Sequence, residues 1–569
     1  MDMTKRIQAA RGDIPADLCI VNGRLLNVLT GEILEQAVSI ADGVVVGFGE
    51  REARRRLDAR GCYLVPGLVD PHVHIESSMV CVSEFAKAVL PHGTTTVVAD
   101  PHEIANVLGT GGIRYMLDSA RGQPMGVFFT LPSCVPATEM ETSGARLRAR
   151  DLEPFLDEEM IVGLAEVMNF PGVIHGDLDV LEKIDRARRR AKRVDGHAPG
   201  VLGANLDAYI TAGVASDHEC TGVEEAMEKA RKGMHVMIRQ GTGAKNLHDL
   251  LPAVTEDNHR CFMWCTDDRH PHDILDTGHV DSIVREAIGL GLDPVTAVRL
   301  GTINAAEYFG LHDRGAIAPG RRADVLLVPD LAEFRPVQVV SGGMLVARNG
   351  RLLPGTSWPQ TVSGASSMNV ATGGPDFAVP ADGKRIRVME LVPGQIVTRQ
   401  VVEDARVENG RAVPDPERDI LKLAVVERHS ATGNVGKGFV RGFGIKAGAL
   451  ASSVAHDSHN IIVVGASDDD MRAACEAVVA MEGGLAAVLN GARLAGLALP
   501  VGGLMSEMTM VAVRERLDAL LEASWSLGCI AEDPFMALSF LALPVIPELK
   551  LTDKGLVHVP SFSVVPLFA

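Results

Sequence analysis

The chain has 569 residues, 46% of them hydrophobic and 22% charged, a globular composition that excludes a disordered or low-complexity protein. Lys plus Arg total 55 against 73 for Asp plus Glu, a formal charge of −18. So acidic a chain argues against nucleic acid as a partner, because phosphate binding needs a basic face.

At about 100–200 residues per domain the length suggests two to four domains. Residues 1–13 are charged and carry no apolar core, so no secretory signal is expected. Residues 20–49 read as short strands with turns at Asn22-Gly23, Thr30-Gly31 and Asp42-Gly43, a hairpin meander. The basic runs at 51–56 and 186–193 sit in helix-like text and read as solvated faces. Strands are predicted at 62–69, 94–100, 126–131, 163–169, 194–197, 213–218, 235–240 and 261–266, with helices such as 180–193 and 222–232 between them. This alternation predicts a parallel sheet covered on both faces, and about eight βα units over roughly 250 residues match a (β/α)8 TIM-like barrel. Residues 323–354 return to hairpin text. The expected architecture is a small β-sandwich from 1–66 and 319–363, the barrel over 67–318, a Gly/Ser/Pro-rich linker over 364–376, and a C-terminal α+β domain over 377–569. The apolar stretch 535–546 is too short to span a membrane and contains Pro544, so it reads as core and no membrane partner is expected. Nine cysteines without a pairing framework suggest reduced thiols and the cytoplasm. Cys261 and Cys265 read as packing within a strand.

The chemistry begins at "VPGLVDPHVHIESS" (65–78). Residues two apart on a strand point the same way, so His72 and His74 can reach one metal ion from the C-terminal end of the first barrel strand. Glu166, His197, His218 and Asp267 each fall within or just after a later predicted strand. Alone, each is an ordinary strand-end polar group. Together they supply His and carboxylate ligands enough for two divalent ions, with a carboxylate available to bridge them. Such a set, free of Cys, suits manganese or iron as well as zinc. Asp267 is suited to take a proton from an activated water and His218 to polarise the tetrahedral centre. His74-Ile75-Glu76 mimics half of the cytidine-deaminase zinc signature, but the chain has no Cys-x-x-Cys.

This ligand pattern resembles the amidohydrolase superfamily, in which it runs His-x-His after strand one, Lys or Glu after strand four, His after five and six, and Asp after eight. "GTINAAEYFGLHDRGAIAPGRRADVLLV" (301–328) is similar to the exit from barrel to sheet domain in that group. "VADPHEIANVLG" (98–109), "GLAEVMNFPGV" (163–173), "VDGHAPG" (194–200), "SDHE" (216–219), "CTDDRHP" (265–271), "AHDSHNIIVVG" (455–465) and "GGLMSE" (502–507) resemble the bacterial adenine deaminase family. The resemblance implies hydrolytic deamination of adenine to hypoxanthine and ammonia at a two-ion site. His72, His74, Glu166, His197, His218 and Asp267 would be its ligands, and Asp267, His218 and Glu166 its catalytic groups. It also implies manganese, with iron or zinc as alternatives. Competing readings are another amidohydrolase reaction, on a cyclic amide or N-acyl substrate, and a non-catalytic barrel scaffold.

Glu103, Asn169, Glu219 and Asp268 adjoin these positions and are candidates for substrate binding, with loop hydrogen bonding or helix capping as the alternative for each. Asp100 and His102 follow the second strand and face the same end. In the last domain His456, Asp457, His459 and Asn460 form a polar cluster. It reads as a lid over the barrel mouth, with His456 and His459 as substrate-binding candidates, or as a turn, or as a site of its own. Large enzymes of this kind are commonly symmetric, so a homo-oligomer is expected.

Overall fold

A computed structural model describes residues 3–359, 362 and 364–569. The expectations for residues 1 and 2 and the boundary expected at residue 363 lie outside them. Gly67 divides what the sequence presents as a single strand over 62–69. A Cβ there would fall 2.1 Å from Thr95 Oγ1 and 2.8 Å from Asp324 Cβ, so only glycine lets the chain pass between two layers. Before it, Tyr63–Pro66 pairs antiparallel with Val325–Val328. After it, Leu68–Val73 (β1) enters the barrel.

The barrel strands continue as Thr94–Ala99 (β2), Gly126–Leu131 (β3), Ile161–Val167 (β4), Arg193–Gly196 (β5), Ser216–Asp217 (β6), His235–Arg239 (β7) and Phe262–Cys265 (β8). Pairing is parallel from β1 to β5 and from β6 to β8. Ala215 N donates to Val194 O at 2.9 Å, closing the gap between β5 and β6. At the last seam Asp267 N donates to His72 O at 3.0 Å and His74 N to Asp267 O at 3.2 Å, so the candidate ligands' own backbones close the barrel. Their side chains are thereby held to the register of the seam.

The outer helices follow from their caps and apolar stripes. Leu178–Arg189 starts where Asp177 accepts from Val180 N, buries Val180, Ile184 and Ala187, and ends in a basic turn suited to the helix dipole. Residues 51–56, helix-like as sequence, form no helix. The Arg51 guanidinium instead donates to Phe48 O and Ala10 O, and the chain runs into the short strand Arg56–Asp58. An unforeseen helix, Met3–Arg11, buries only Ala9.

Strands from both flanks of the barrel share one seven-stranded sheet, which packs on a four-stranded sheet containing Leu18–Val21. Ile20, Leu25, Val45, Leu64, Val325 and Val340 fill the layer between them. The C-terminal region centres on an eight-stranded sheet carrying the helices Asp468–Ala480 and Met510–Ser526. It is fastened over the barrel mouth: Cys81 N donates to Ser506 O, and Asn460 Nδ2 donates to Thr142 O at 2.8 Å. Among the described residues no helix is long and apolar enough to cross a membrane. All nine cysteines are free thiols; Cys265 packs within β8.

Candidate functional site

β1 carries His72 near its end and His74 just beyond it, on one face, with their rings edge to face at 4.9 Å. Asp100 O lies 3.1 Å from His74 Nδ1 and fixes the ring so that Nε2 looks inward. Behind them Asp70 accepts from His72 N and from Thr266 Oγ1, tying β1 to β8. Burial pushes the Asp70 carboxyl up to about 7.

Glu166, from β4, lies between two sets of histidines. Its Oε1 is 3.3 Å from His74 Nε2, 3.6 Å from His102 Nδ1 and 3.9 Å from His72 Nε2. Its Oε2 is 2.6 Å from His197 Nδ1 and 3.2 Å from His218 Nε2. Asp267 follows β8 with a φ of 56°, a left-handed turn that brings its carboxylate back over the mouth. Its Oδ1 lies 3.2 Å from both His72 Nε2 and His74 Nε2, and its Oδ2 accepts from Arg239 Nη1 at 2.8 Å. The His72 and His218 rings stack at 4.1 Å. All six residues predicted as ligands thus meet in one cluster, each at most 6% exposed.

This cluster fits divalent cations. His72 Nε2 and His197 Nε2 are buried without a hydrogen-bond partner, a costly arrangement for a group that nothing completes. His72, His218 and Asp267 form one group with ligand atoms within 4.8 Å of one another; Glu166, His197 and His218 form a second. A third, His74, Asp100, His102 and Glu166, brings in two residues that the sequence placed only at the same end of the barrel. The protonation pattern agrees. Burial opposes charge on His218, but the Glu166 carboxylate beside it carries it up to about 9. Burial likewise opposes charge on His74, yet Asp267 and Glu166 hold it well above the usual range. His72, by contrast, is pushed down by burial and by His218, which keeps its ring neutral. The carboxylates therefore create a negative potential that draws protons onto histidines in the place where a cation would sit.

The secondary candidates separate. Asp268 receives Ser77 Oγ and lines the cavity. Glu219 lines it too, in a buried pair with Arg239 Nη1 and Nη2. Glu103 accepts His456 Nδ1 at 2.6 Å and His459 Nε2, so the C-terminal region locks onto the barrel through one carboxylate. His456 faces the cavity, while His459 lies behind it, accepting from Ala455 N. Asn169 does not join them: its side chain accepts from Gly172 N and caps the helix Phe170–His175. A capping bond within its own turn outcompetes a longer reach. Sequence reasoning passed over Arg239, although its place at the end of β7 puts it at the same mouth as the ligands. Burial opposes charge on Asp267, yet Arg239, His72 and His74 hold its carboxyl well below the usual range. Met168, Ile396, Phe540, Leu543 and Ile546 close the cavity from above with apolar surface. The stretch read as core, 535–546, is thus also the roof of the site.

Residues 63–353 match the amidohydrolase family, and residues 395–563 match the adenine deaminase C-terminal domain. The chain is 56% identical over 562 residues to the adenine deaminase of Desulfatibacillum aliphaticivorans, covering 99% of each chain. It is 48% identical over 565 residues to adenine deaminase 2 of Carboxydothermus hydrogenoformans, covering 99% of this chain and 98% of the other. Against the adenine deaminase of Methanothrix thermoacetophila it is 49% identical over 564 residues, covering 99% of each.

Proposed function

Since the chain belongs to the amidohydrolase family and carries the adenine deaminase C-terminal domain, we propose that it hydrolyses adenine to hypoxanthine and ammonia at the buried histidine–carboxylate cluster. The observation that carries this is Glu166, whose two oxygens face separate sets of histidines beneath a roof supplied by the C-terminal region. His72, His74, Glu166, His197, His218 and Asp267 would hold two divalent ions, manganese before iron or zinc. Bound there, such ions acidify water enough to make it a nucleophile at neutral pH.

The chain's own groups then have distinct tasks. Asp267 Oδ1, its partner oxygen fixed by Arg239, accepts a proton from the attacking water and passes it to the ring nitrogen or the departing amine, so that one water proton leaves in ammonia and the other ends on the ring of hypoxanthine. The sum is balanced: water adds oxygen at C6, and the amino group leaves as ammonia. His218, beside Glu166, stabilises the charge that grows on the oxygen added at C6. The apolar roof of Ile396, Phe540, Leu543 and Ile546 keeps bulk water from the ring. Within the same proposal the chain divides at the limits expected from its sequence, works in the cytoplasm, and self-associates.

Manganese-loaded protein should release ammonia from adenine. His72→Ala should lose bound metal and at least about 100-fold of that activity, more than is typical when an outer partner of a ligand is removed. Full activity without His72, or no turnover of adenine beside rapid turnover of a cyclic amide, refutes the assignment.

A further inference from the structure

The cavity above the ligand cluster encloses about 30 Å³, the share of a single water. Pockets that hold small organic ligands run to roughly 300–1,000 Å³, so a purine base enters only where part of the wall yields. Most of the wall is fixed. The expected ligands stand at the ends of hydrogen-bonded barrel strands, and His456 is held by Glu103. Phe540, Leu543 and Ile546 are buried and pack on Cys134, Ala137 and Met168. Ile396 is placed differently. It lies at the tip of the hairpin that joins the strands Arg385–Leu391 and Thr398–Asp404, where Pro393, Gly394, Gln395 and Val397 are all exposed.

The base of this hairpin is anchored, because Thr398 N donates to Pro547 O at 2.9 Å and Thr398 Oγ1 to Leu549 O at 2.8 Å. The tip is not. Among the described residues, the one hydrogen bond that ties residues 392–397 to anything beyond their own hairpin comes from Lys550. Its Nζ donates to Ile396 O at 2.8 Å and to Phe540 O at 3.0 Å. Lys550 is fully buried, and no carboxylate among the described residues pairs with it. A buried ammonium without a counter-charge is costly. What this one does is join the two pieces of the roof, through one carbonyl of each.

The tip also stands at a passage. A second, smaller cavity is lined by Gly241, Gly243 and Ile396, and it shares Asp267 and Asp268 with the first. Ile396 sits over Gly243: a Cβ built there would meet Ile396 Cγ2 at 3.7 Å, an ordinary contact. The Gly243 loop belongs to the barrel rim, since Gly241 N donates to Ala244 O at 2.9 Å and Thr242 N to Asp268 O at 2.8 Å.

We propose that Lys550 is a positioning residue for the deamination, latching the 392–397 tip as a gate over the site. The gate lifts from the Gly243 loop to admit the base, then closes to bring Ile396 down over it and shut out bulk water. Lys550 touches neither base nor ligand cluster. It acts through the carbonyl of Ile396, and Phe540 O is the fixed point from which it holds the tip. The C-terminal region is in this view a moving part of the site as well as a cover. The inference rests on the deaminase assignment above.

The paired variant Gly243→Cys/Ile396→Cys, in manganese-loaded full-length protein, tests the gate, since the 3.7 Å approach lies within the reach of a disulfide. Oxidation with diamide should crosslink the two introduced thiols and lower adenine turnover at least about tenfold, as expected when a closed lid cannot reopen. Dithiothreitol should restore turnover, and wild type treated alike should keep it. Alkylation rates, read peptide by peptide, test the latch. Adding Lys550→Met to the single variant Ile396→Cys should speed alkylation of the introduced thiol about 10- to 100-fold, the effect of one charged hydrogen bond lost. Cys475, buried in the core of the C-terminal region, should react no faster, whereas general loosening of the fold would expose both. A crosslinked protein as active as its reduced form overturns the gate, and so does a pair that does not crosslink. Alkylation unchanged by Lys550→Met, or raised equally at Cys475, overturns the latch. This second arm needs no turnover, so it decides even where the paired variant is poorly active. Wild type that does not turn over adenine refutes the underlying assignment instead, and the crosslinking and alkylation results stand apart from it.

Discussion

Arg239→Met is the most demanding perturbation of the cluster. Arg239 is 5% exposed and neutralises two buried carboxylates, with Nη1 2.8 Å from Asp267 Oδ2 and Nη2 3.1 Å from Glu219 Oε2. One such contact at 2.8 Å is worth about 6 kcal/mol of attraction at an effective dielectric of ~20. Desolvation of the guanidinium offsets part of this. The net cost of leaving a buried partner uncompensated is about 3–5 kcal/mol. If the barrel melts as a unit of about 250 residues, that is a fall of roughly 6–20 °C in its melting temperature. Cations bound at the cluster would supply some of the missing positive charge. The loss should therefore be larger in chelator-stripped protein than in manganese-loaded protein, and the double variant Arg239→Met/Glu219→Gln should recover part of it. Differential scanning calorimetry on wild type and both variants, each stripped and manganese-loaded, measures this. A single variant within about 1 kcal/mol of wild type when stripped of metal, or a double variant no better than the single, refutes the electrostatic account.

Metal binding should release protons. In the cation-free cluster His218 is carried up to about 9, so the protons held there at pH 7.5 include its own, and His74 is shifted in the same direction. Manganese must displace them, and titration calorimetry in two buffers of different ionisation enthalpy should find at least one proton released; none contradicts the ligand assignment. Lys550 offers a pH test away from the metal. Burial lowers its ammonium to about 7, while it donates to Ile396 O and Phe540 O beneath the roof. Its folded pKa lies below its unfolded one, so the unfolded chain binds the extra proton between pH 7 and about 10.5, and stability from this group rises with pH across that window. The melting temperature of Lys550→Met relative to wild type should thus be more favourable at pH 6 than at pH 9. A difference independent of pH means that the lysine is not held neutral by burial.

The six expected ligands were legible because each sits at the C-terminal end of an apolar run, and a parallel barrel brings such ends together. Other features were not legible, for reasons that are physical. Gly67 splits a continuous apolar stretch into two strands only because Thr95 and Asp324 crowd it, and neither is a neighbour in sequence. Arg239 looks like any strand-end arginine until Glu219 and Asp267 close on it. Asn169 is indistinguishable as a cap or a substrate-binding group until the next turn forms. His456 and Asp457 lie some 350 residues from Glu103 and His102, and only the docking of the C-terminal region joins them. The helical reading of 51–56 failed because basic residues alone set no apolar stripe to bury.

The central claim is that water, activated at the His72–Asp267 cluster, displaces the amino group of adenine. Turnover of adenine by manganese-loaded protein in ¹⁸O-labelled water tests it directly, with product oxygen read by mass spectrometry and ammonia counted in parallel. One labelled oxygen per hypoxanthine and one ammonia per turnover, both lost when the metal is removed and restored with it, is the predicted result. Hypoxanthine without label, ammonia without hypoxanthine, or turnover that persists in the stripped protein would contradict it.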